Sequence, residues 1–354
     1  MQRERLHAML DVRLPGAVWL HGPTGAGKTV LLRSYLNRAE RPSIWLTADE
    51  RHADPAALFA AITALAEPAG NARGPARLPT FSPEHRDDPA AFARGYFEKL
   101  DASLPPEHAF VIDDVHCIAA TTAPLLGHAI DAFGGRRTLC YASQLMPDAA
   151  LAAHLAGSRL WVVGHKLLAF DPDEARELAE QLGTATHARD TLDTLVTATD
   201  GWAAGLMLAM QLGAAAGSSN ASADPLEPVR TPLALLIAGQ VLGGVAKDDL
   251  VKLRLLAELP QVPMELVDIA PDWASACARL QGLAERGLFV ERLAADRVRA
   301  GSGNGSSAPT AVSKVARINK GCWRLHDLFR NALRESGVIG EPDASVGHQL
   351  IAQL

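Results

Sequence analysis

The stretch HGPTGAGKTVLL, residues 21–32, decides the fold of the amino-terminal part of this chain. Residues 22–29 match the pattern G-x-x-x-x-G-K-[ST], in which glycines let backbone N–H groups turn towards a phosphate. Lys28 can reach the β- and γ-phosphates, and the Thr29 hydroxyl can bind Mg²⁺. Because an apolar strand precedes the loop and an amphipathic helix follows it, the stretch predicts a P-loop nucleotide site. The predicted nucleotide-binding residues there are Gly22, Pro23, Thr24, Gly25, Ala26, Gly27, Lys28, Thr29 and Val30.

A second motif, AFVIDD at 109–114, supplies carboxylates at the end of a predicted buried strand. In P-loop enzymes the first acid holds the Mg²⁺ shell and a second can polarise the attacking water. We therefore predict Asp113 as a metal residue together with Thr29, and Asp114 as a catalytic residue together with Lys28. The alternative, a solvated turn with capping acids, is disfavoured by the P-loop upstream. His116 is either a loop histidine or a polar contact near this site.

Short apolar runs alternate with helical patterns through the first 165 residues. Continuous apolar strands separated by helices are typical of a parallel sheet covered on both faces. The sequence predicts an α/β fold, a P-loop NTPase of the type with one strand between the P-loop strand and the acid-bearing strand. Strands are predicted at 17–22, 43–48, 109–114, 138–143 and 159–164, and helices at 28–39, 55–66, 90–100 and 123–133.

The composition is that of an ordinary globular protein of 354 residues, with 48% hydrophobic and 21% charged residues. The net charge is −6, so the sequence does not predict the broad basic surface that is typical of nucleic-acid-binding proteins. The four cysteines lie outside any metal-binding spacing, which predicts reduced core thiols. We expect a cytoplasmic protein without a membrane span, because the amino terminus has no apolar signal core and the longest apolar stretch, 232–245, is too short.

Helical patterns dominate from Asp173 onward, at 173–183, 190–213, 233–242, 247–258, 263–269 and 273–286. A strand at 287–293, a Gly/Ser-rich loop and a return segment at 322–333 follow, and this order predicts a winged helix. Two segments, 213–228 and 300–310, are small, polar and rich in Gly, Ser or Pro, so we predict linkers or long loops there.

These patterns predict four parts of the chain. The first, 1–165, is a P-loop nucleotide-binding domain, and the second, 166–228, is a helical lid with a linker. The third, 229–338, is a winged-helix domain, and the fourth, 339–354, is the start of a following helical region.

Several motifs, in order along nearly the whole chain, resemble the STAND class of signal-transduction NTPases, particularly the maltose-regulon activator and the large LuxR-type transcriptional regulators. The acid strand followed by a histidine and the Arg-x-His-x-Leu-Phe motif of the winged-helix segment are typical of this class, and LHD at 325–327 also resembles the Met-His-Asp motif of related plant and animal switches. The similar segments are RERLHAML (3–10), IWLTADERHADPAALFAAI (44–62), FVIDDVHCI (110–118), LLAFDPDEARELAEQLG (167–183), TDGWAAGLMLA (199–209), LQGLAERGLFVERL (280–293) and WRLHDLFRNAL (323–333).

The resemblance implies a conformational switch. ADP is held between the P-loop domain, the lid and the winged helix, and ATP replaces it after a signal. The protein then self-associates, and slow Mg²⁺-dependent hydrolysis resets it. Carried onto this chain, His326 is the candidate winged-helix contact to the nucleotide phosphates, with a structural histidine in the wing as the alternative. Trp202, Leu206 and Met207 fall where related switches pack on adenine, but a core role is favoured for them.

One departure from the family concerns the sensing of the γ-phosphate. The family usually carries Ser-Arg after the fourth strand, whereas this chain has Ser143 followed by Gln144, which brings no charge. ATP sensing is then weak, or supplied by another residue such as Arg136, Arg137 or Arg159.

Three functions stay open at this point, of which the regulatory switch ATPase explains the most motifs. A metabolic P-loop kinase or motor ATPase leaves the lid and winged-helix segments unexplained. A non-hydrolysing nucleotide-binding scaffold is favoured somewhat by Gln144. The family's signal-binding helical repeats and DNA-binding output domain are expected to be absent from this chain. Direct DNA contact is not expected either, because the segment 323–335 mixes charges without a basic stripe.

Overall fold

The structure is a computed structural model that describes residues 3–69, 78–118, 122–184, 189–216, 227–242, 245–286, 288–293 and 321–335. The chain divides into two compact units, Met1–Ala169 and Phe170–Leu354. The division of the second unit into lid and winged helix stays a prediction. The predicted loop at 300–310 and the predicted helical region at 339–354 lie outside the described residues. Across the part of the chain described, no helix is long and apolar enough to cross a bilayer.

The first unit is built on a five-stranded sheet in which every neighbouring pair is parallel. Its strands are β1 (Gly16–His21), β2 (Ser43–Thr47), β3 (Ala109–Asp113), β4 (Thr138–Ser143) and β5 (Leu160–Val163), in the order β2-β3-β4-β1-β5. Strand β4 lies between the P-loop strand β1 and the acid-bearing strand β3, as predicted. This confirms the predicted α/β, parallel-sheet P-loop NTPase fold.

Helices cover both faces of this sheet. Successive side chains of a strand point to opposite sides, and here the apolar side chains of both sides are buried. The helices are α1 (Glu4–Asp11), α2 (Lys28–Arg38), α3 (Pro55–Ala66), α4 (Pro89–Ser103), α5 (Gly127–Phe133), α6 (Ala152–Ala156) and α7 (His165–Leu168). On one face Trp19 and Tyr141 share a buried cluster with residues of α3, α4 and α5. On the other face Val18 and Cys140 share a cluster with α1 and α2. Helix α1 is absent from the predicted elements, although its Leu6 and Leu10 are fully buried.

The second unit is mainly helical. Its helices are α8 (Pro172–Gln181), α9 (Arg189–Thr199), α10 (Ala203–Ala216), α11 (Glu227–Ile237), α12 (Lys247–Ala257), α13 (Leu266–Ile269), α14 (Ala274–Glu285) and α15 (Asp327–Glu335). A small antiparallel sheet in the order β6-β8-β7 is formed by β6 (Val262–Pro263), β7 (Val290–Leu293) and β8 (Cys322–Leu325).

Two predictions for the second unit were wrong in detail. The predicted helix at 263–269 begins only at Leu266, and Val262 and Pro263 instead pair with β8 as an edge strand. A proline tolerates an edge strand because its missing N–H is not needed there. The predicted loop at 213–228 is shorter at both ends, since α10 continues to Ala216 through an alanine-rich sequence of high helix propensity.

Candidate functional site: a P-loop with two carboxylates

The phosphate loop connects the end of β1 to the start of α2. Gly25 and Gly27 have φ angles of 75° and 85°, a left-handed backbone that glycine adopts without steric cost. A Cβ on Gly22 would lie 3.1 Å from the Cβ of His165, so the close packing there favours glycine. The first turn of a helix leaves N–H groups without partners inside the helix, and its dipole favours an anion. The loop therefore has the geometry of an anion cradle.

The Lys28 side chain is buried across this loop. Its Nζ donates hydrogen bonds to the carbonyl oxygens of Gly22 and Pro23, at 2.8 and 2.9 Å. Burial lowers the pKa of Lys28, while the nearby carboxylates of Asp113 and Asp114 oppose that shift. The ammonium group is thus held within the curve of the loop, where phosphate oxygens can replace the two carbonyls.

The two predicted acids take different positions. Asp113 is 3% exposed, and its Oδ2 accepts a hydrogen bond of 2.7 Å from the Thr29 hydroxyl. The Asp114 side chain is about half exposed, at 46%, and its backbone φ of 56° turns it away from the strand direction. An aspartate tolerates this conformation better than most residues do. The structure therefore brings the predicted metal residues together and leaves the second acid accessible to solvent.

Gln144 lies beside the P-loop. Its side-chain Nε2 donates to the Thr24 hydroxyl at 3.0 Å and lies 2.9 Å from His116 Nε2. His116 Nδ1 in turn lies 4.0 Å from Asp114 Oδ1. Of the two interpretations left open for His116, the structure supports the polar contact, because the ring connects Gln144 with the end of β3.

The three arginines considered as replacements for a charged sensor lie at the amino-terminal ends of the strands, opposite the end that carries the P-loop. Arg136 and Arg137 precede β4 and Arg159 precedes β5, whereas the P-loop follows β1. Six residues of a strand span about 20 Å, so their side chains face away from the phosphate loop. Arg137 is buried and donates to Asp101 and to neighbouring carbonyls. The suggestion that one of these three replaces the sensor was therefore wrong.

Two histidines beside the P-loop were missed at the sequence level. His21 ends β1 and His165 begins α7, and their ring centres are 6.1 Å apart. Burial, with smaller contributions from His165 and Lys28, lowers the pKa of His21 to about 4. No spacing in the sequence relates these residues, because the parallel pairing of β1 and β5 alone brings them together.

We expect the free energy of unfolding to fall as the pH is lowered from 6.5 towards 4, because unfolded His21 takes up a proton that the folded state resists. The variant His21→Gln should show a shallower pH dependence over this window in urea denaturation. His7, His128 and His326, whose pKa values burial also lowers, will leave a residual slope. The same slope in wild type and variant would contradict the assignment.

Helix α1 holds the last residues of the first unit. The Arg3 guanidinium donates to the carbonyls of Leu168 and Ala169, at 2.7 and 2.9 Å. The Arg5 guanidinium donates to those of Leu167 and Ala169, at 3.1 and 2.9 Å. The segment 3–10, which precedes β1, thus anchors the carboxyl end of α7.

The remaining predicted residues belong to the second unit. His326 is half-buried between β8 and α15, and its Nδ1 accepts a hydrogen bond of 3.2 Å from the N–H of Leu328. The neutral ring therefore carries its proton on Nε2. Burial lowers the pKa of His326, and the carboxylates of Asp200 and Asp327 oppose this shift.

The residues considered for adenine packing divide into two groups. Trp202 and Leu206 are 6% and 0% exposed, and the Trp202 ring centre lies 5.2 Å from that of Phe289. Met207 is 39% exposed. The favoured core role therefore agrees with the positions of Trp202 and Leu206 and was wrong for Met207.

The residues present fit a nucleotide with Mg²⁺. The loop offers positive-φ glycines and a buried ammonium, and Gly22 packs closely against His165 of α7. Thr29 and Asp113 offer a hydroxyl and a carboxylate, which are the oxygen ligands that Mg²⁺ prefers.

Comparisons with known proteins agree with this site. Residues 1–140 match the family described as the AAA ATPase domain. Serine/threonine-protein kinase PknK of Mycobacterium tuberculosis and of Mycobacterium bovis is 28% identical over 210 residues. That match covers 54% of this chain but only 18% of the length of each kinase.

Among solved structures, the RuvB Holliday junction branch migration motor of Thermotoga maritima has a TM-score of 0.42 and 14% identity. The match covers 83% of this chain and 90% of RuvB. A single-residue variant of the same RuvB has a TM-score of 0.43, with the same identity and coverage. On its own sheet order and loop geometry, the first unit is a P-loop nucleotide-binding domain, similar to the AAA ATPase domain over residues 1–140.

Proposed function

We propose that this chain is an ATP- and ADP-dependent regulatory switch, the nucleotide-binding and oligomerisation module of a signal-responsive transcriptional regulator. The observation that carries the nucleotide part is the hydrogen bond from Thr29 to Asp113, which joins the P-loop to the acid-bearing strand. The order of motifs that resemble the STAND class supports the regulatory part.

The residues of the site divide the chemistry of slow hydrolysis among them. Lys28 would offset negative charge on the β- and γ-phosphates, and Thr29 and Asp113 would hold the metal ion. When bound, Mg²⁺ supplies positive charge that offsets charge on the transferring phosphate. Asp114 orients the attacking water and accepts its proton, a role for which its exposure suits it.

The second unit supports a winged helix at 229–338. Its elements follow the order α12, β6, α13, α14, β7 and β8, with β8 in the centre of the small sheet. Three helices and the antiparallel pair of β7 and β8 support this proposal, whereas the edge strand β6 is an addition to the predicted pattern. We propose no direct DNA contact for it, because α15 mixes acidic and basic residues.

We propose that His326 contacts the nucleotide phosphates in the ADP state. Its Nδ1 is occupied by the N–H of Leu328, which leaves the Nε2 proton available for an anion. The same bond supports the structural alternative, since it satisfies a backbone donor at the start of α15.

Bound nucleotide in the purified protein tests the switch. We expect the chain to retain ADP through purification, because a switch resting in the ADP state releases its nucleotide slowly. Nucleotide released by denaturation would be identified by ion-exchange chromatography, and binding would be titrated with ADP and Mg-ATP. An empty protein that binds neither nucleotide would overturn the proposal. Sedimentation of the two loaded forms should show self-association with ATP and none with ADP.

The variant His326→Asn is expected to speed ADP release by about tenfold, the loss of one charge-assisted hydrogen bond. Asparagine Oδ1 can still accept from the N–H of Leu328, so stability should change little. His326→Ala loses both roles and serves as the comparison in thermal unfolding. If only His326→Ala changes ADP release, and does so together with stability, the histidine is structural.

A non-hydrolysing scaffold is the second candidate function. Gln144 favours it, because an amide beside the P-loop supplies no charge to stabilise the γ-phosphate during hydrolysis. The comparison of wild-type and Asp114→Asn hydrolysis separates the two functions.

A further inference from the structure

An open pocket of about 460 Å³ lies at the amino-terminal ends of the parallel strands, opposite the end that carries the P-loop. It opens where β1, β4 and β5 begin, and the Gly134–Gly135 turn after α5 forms one wall. Its size falls within the range of small-molecule sites. None of its lining residues belongs to the nucleotide site.

The floor of this pocket is apolar. Ala17, Phe133 and Leu139 line it and are 8%, 1% and 1% exposed, and Trp161 forms a side wall. A Cβ built on Gly135 would meet no atom within 4 Å, so the wall stands clear of its neighbours. The pocket therefore combines an apolar floor with open space beside the Gly134–Gly135 turn.

Its arginines differ in what they already bind. Arg137 directs its guanidinium to Asp101 and to four backbone carbonyls. Arg159 is paired with Asp131 at 2.7 Å. Arg13 is exposed, and its guanidinium lies 5.2 Å from the centre of the Trp161 ring. Among the described residues no carboxylate pairs with Arg13, so it is the cation available to a ligand.

A guanidinium held over an aromatic ring keeps its N–H edge free, and that edge matches the two oxygens of a carboxylate. We propose that the pocket binds a small aromatic monocarboxylate. Its carboxylate would lie on Arg13, and its ring would lie on the floor formed by Phe133 and Leu139. Charge complementarity at the rim and the apolar floor together define this class.

The test uses 1-naphthoate and its neutral match 1-naphthamide, titrated calorimetrically into the full chain without added nucleotide. We expect saturable one-site binding of the carboxylate, weakened by about tenfold or more in Arg13→Ala and in the neutral amide. Arg13→Lys should weaken binding less, because it keeps the charge but loses the planar edge. Arg94→Ala, an exposed arginine on α4, is the matched control and should bind as wild type does.

Absence of saturable 1-naphthoate binding at millimolar concentration would overturn the proposal. Equal affinity for the carboxylate and the amide would also overturn it, since Arg13 would then play no part. The comparison of the two probes needs only the wild-type chain, so it decides the matter even if Arg13→Ala fails to fold. Because none of the pocket's lining residues belongs to the nucleotide site, a negative result here leaves the switch proposal standing.

Discussion

The variant Lys28→Ala is expected to lose nucleotide binding, with dissociation constants for ADP and Mg-ATP raised by about a hundredfold or more. The ammonium lies within the curve of the loop, bonded to the carbonyls of Gly22 and Pro23. Charge-assisted hydrogen bonds to phosphate contribute about 1.5–3 kcal/mol each, and Lys28 is placed to make two. Titration of a fluorescent ADP analogue, with competition by unlabelled nucleotide, measures the change.

Two variants control this experiment. Lys28→Met keeps an apolar stem in the buried position and should lose binding equally, which separates the charge from the packing. Lys99→Ala removes an exposed lysine on α4 and should bind as wild type does. Nucleotide affinity within threefold of wild type in Lys28→Met would mean that the loop is not the phosphate site.

Hydrolysis should fall by about a hundredfold or more in Asp114→Asn, while nucleotide affinity changes little. A positioned general base contributes about 10²–10⁴ in rate, and the amide cannot accept the proton of the attacking water. Asparagine keeps the size of the side chain and suits the positive φ of 56° at this position, so the fold should be retained. Single-turnover release of phosphate from ATP measures the rate.

Asp113→Asn and Asp87→Asn are the comparisons. Asp113 accepts from Thr29, so its amide variant should weaken Mg²⁺-dependent binding as well as hydrolysis. Asp87 is exposed, and its variant should behave as wild type does. Equal and negligible hydrolysis by wild type and Asp114→Asn would favour the scaffold, whereas fast turnover with a small-molecule acceptor would favour a metabolic kinase.

Local sequence patterns predicted most of the first unit. Each strand is a short apolar run that is readily recognised in the sequence, and the helix after the loop begins at Lys28 as expected. The patterns failed at α1, which is short and follows no strand. They failed again at β6, where two residues become a strand only because β8 lies beside them. Elements whose stability depends on a distant partner leave little trace in their own sequence.

The sequence by itself determined the phosphate loop, since Gly25 and Gly27 at fixed spacing before Lys28 dictate a local backbone that needs no partner. It also determined the two acids, because a carboxylate pair after a buried strand is a local pattern. Only the tertiary structure decided that Gln144 contacts Thr24 and that the three candidate arginines lie at the strand ends opposite the P-loop. The physical reason lies in the parallel sheet. Pairing between strands far apart in the sequence sets their order and direction, and these determine which strand ends lie close together.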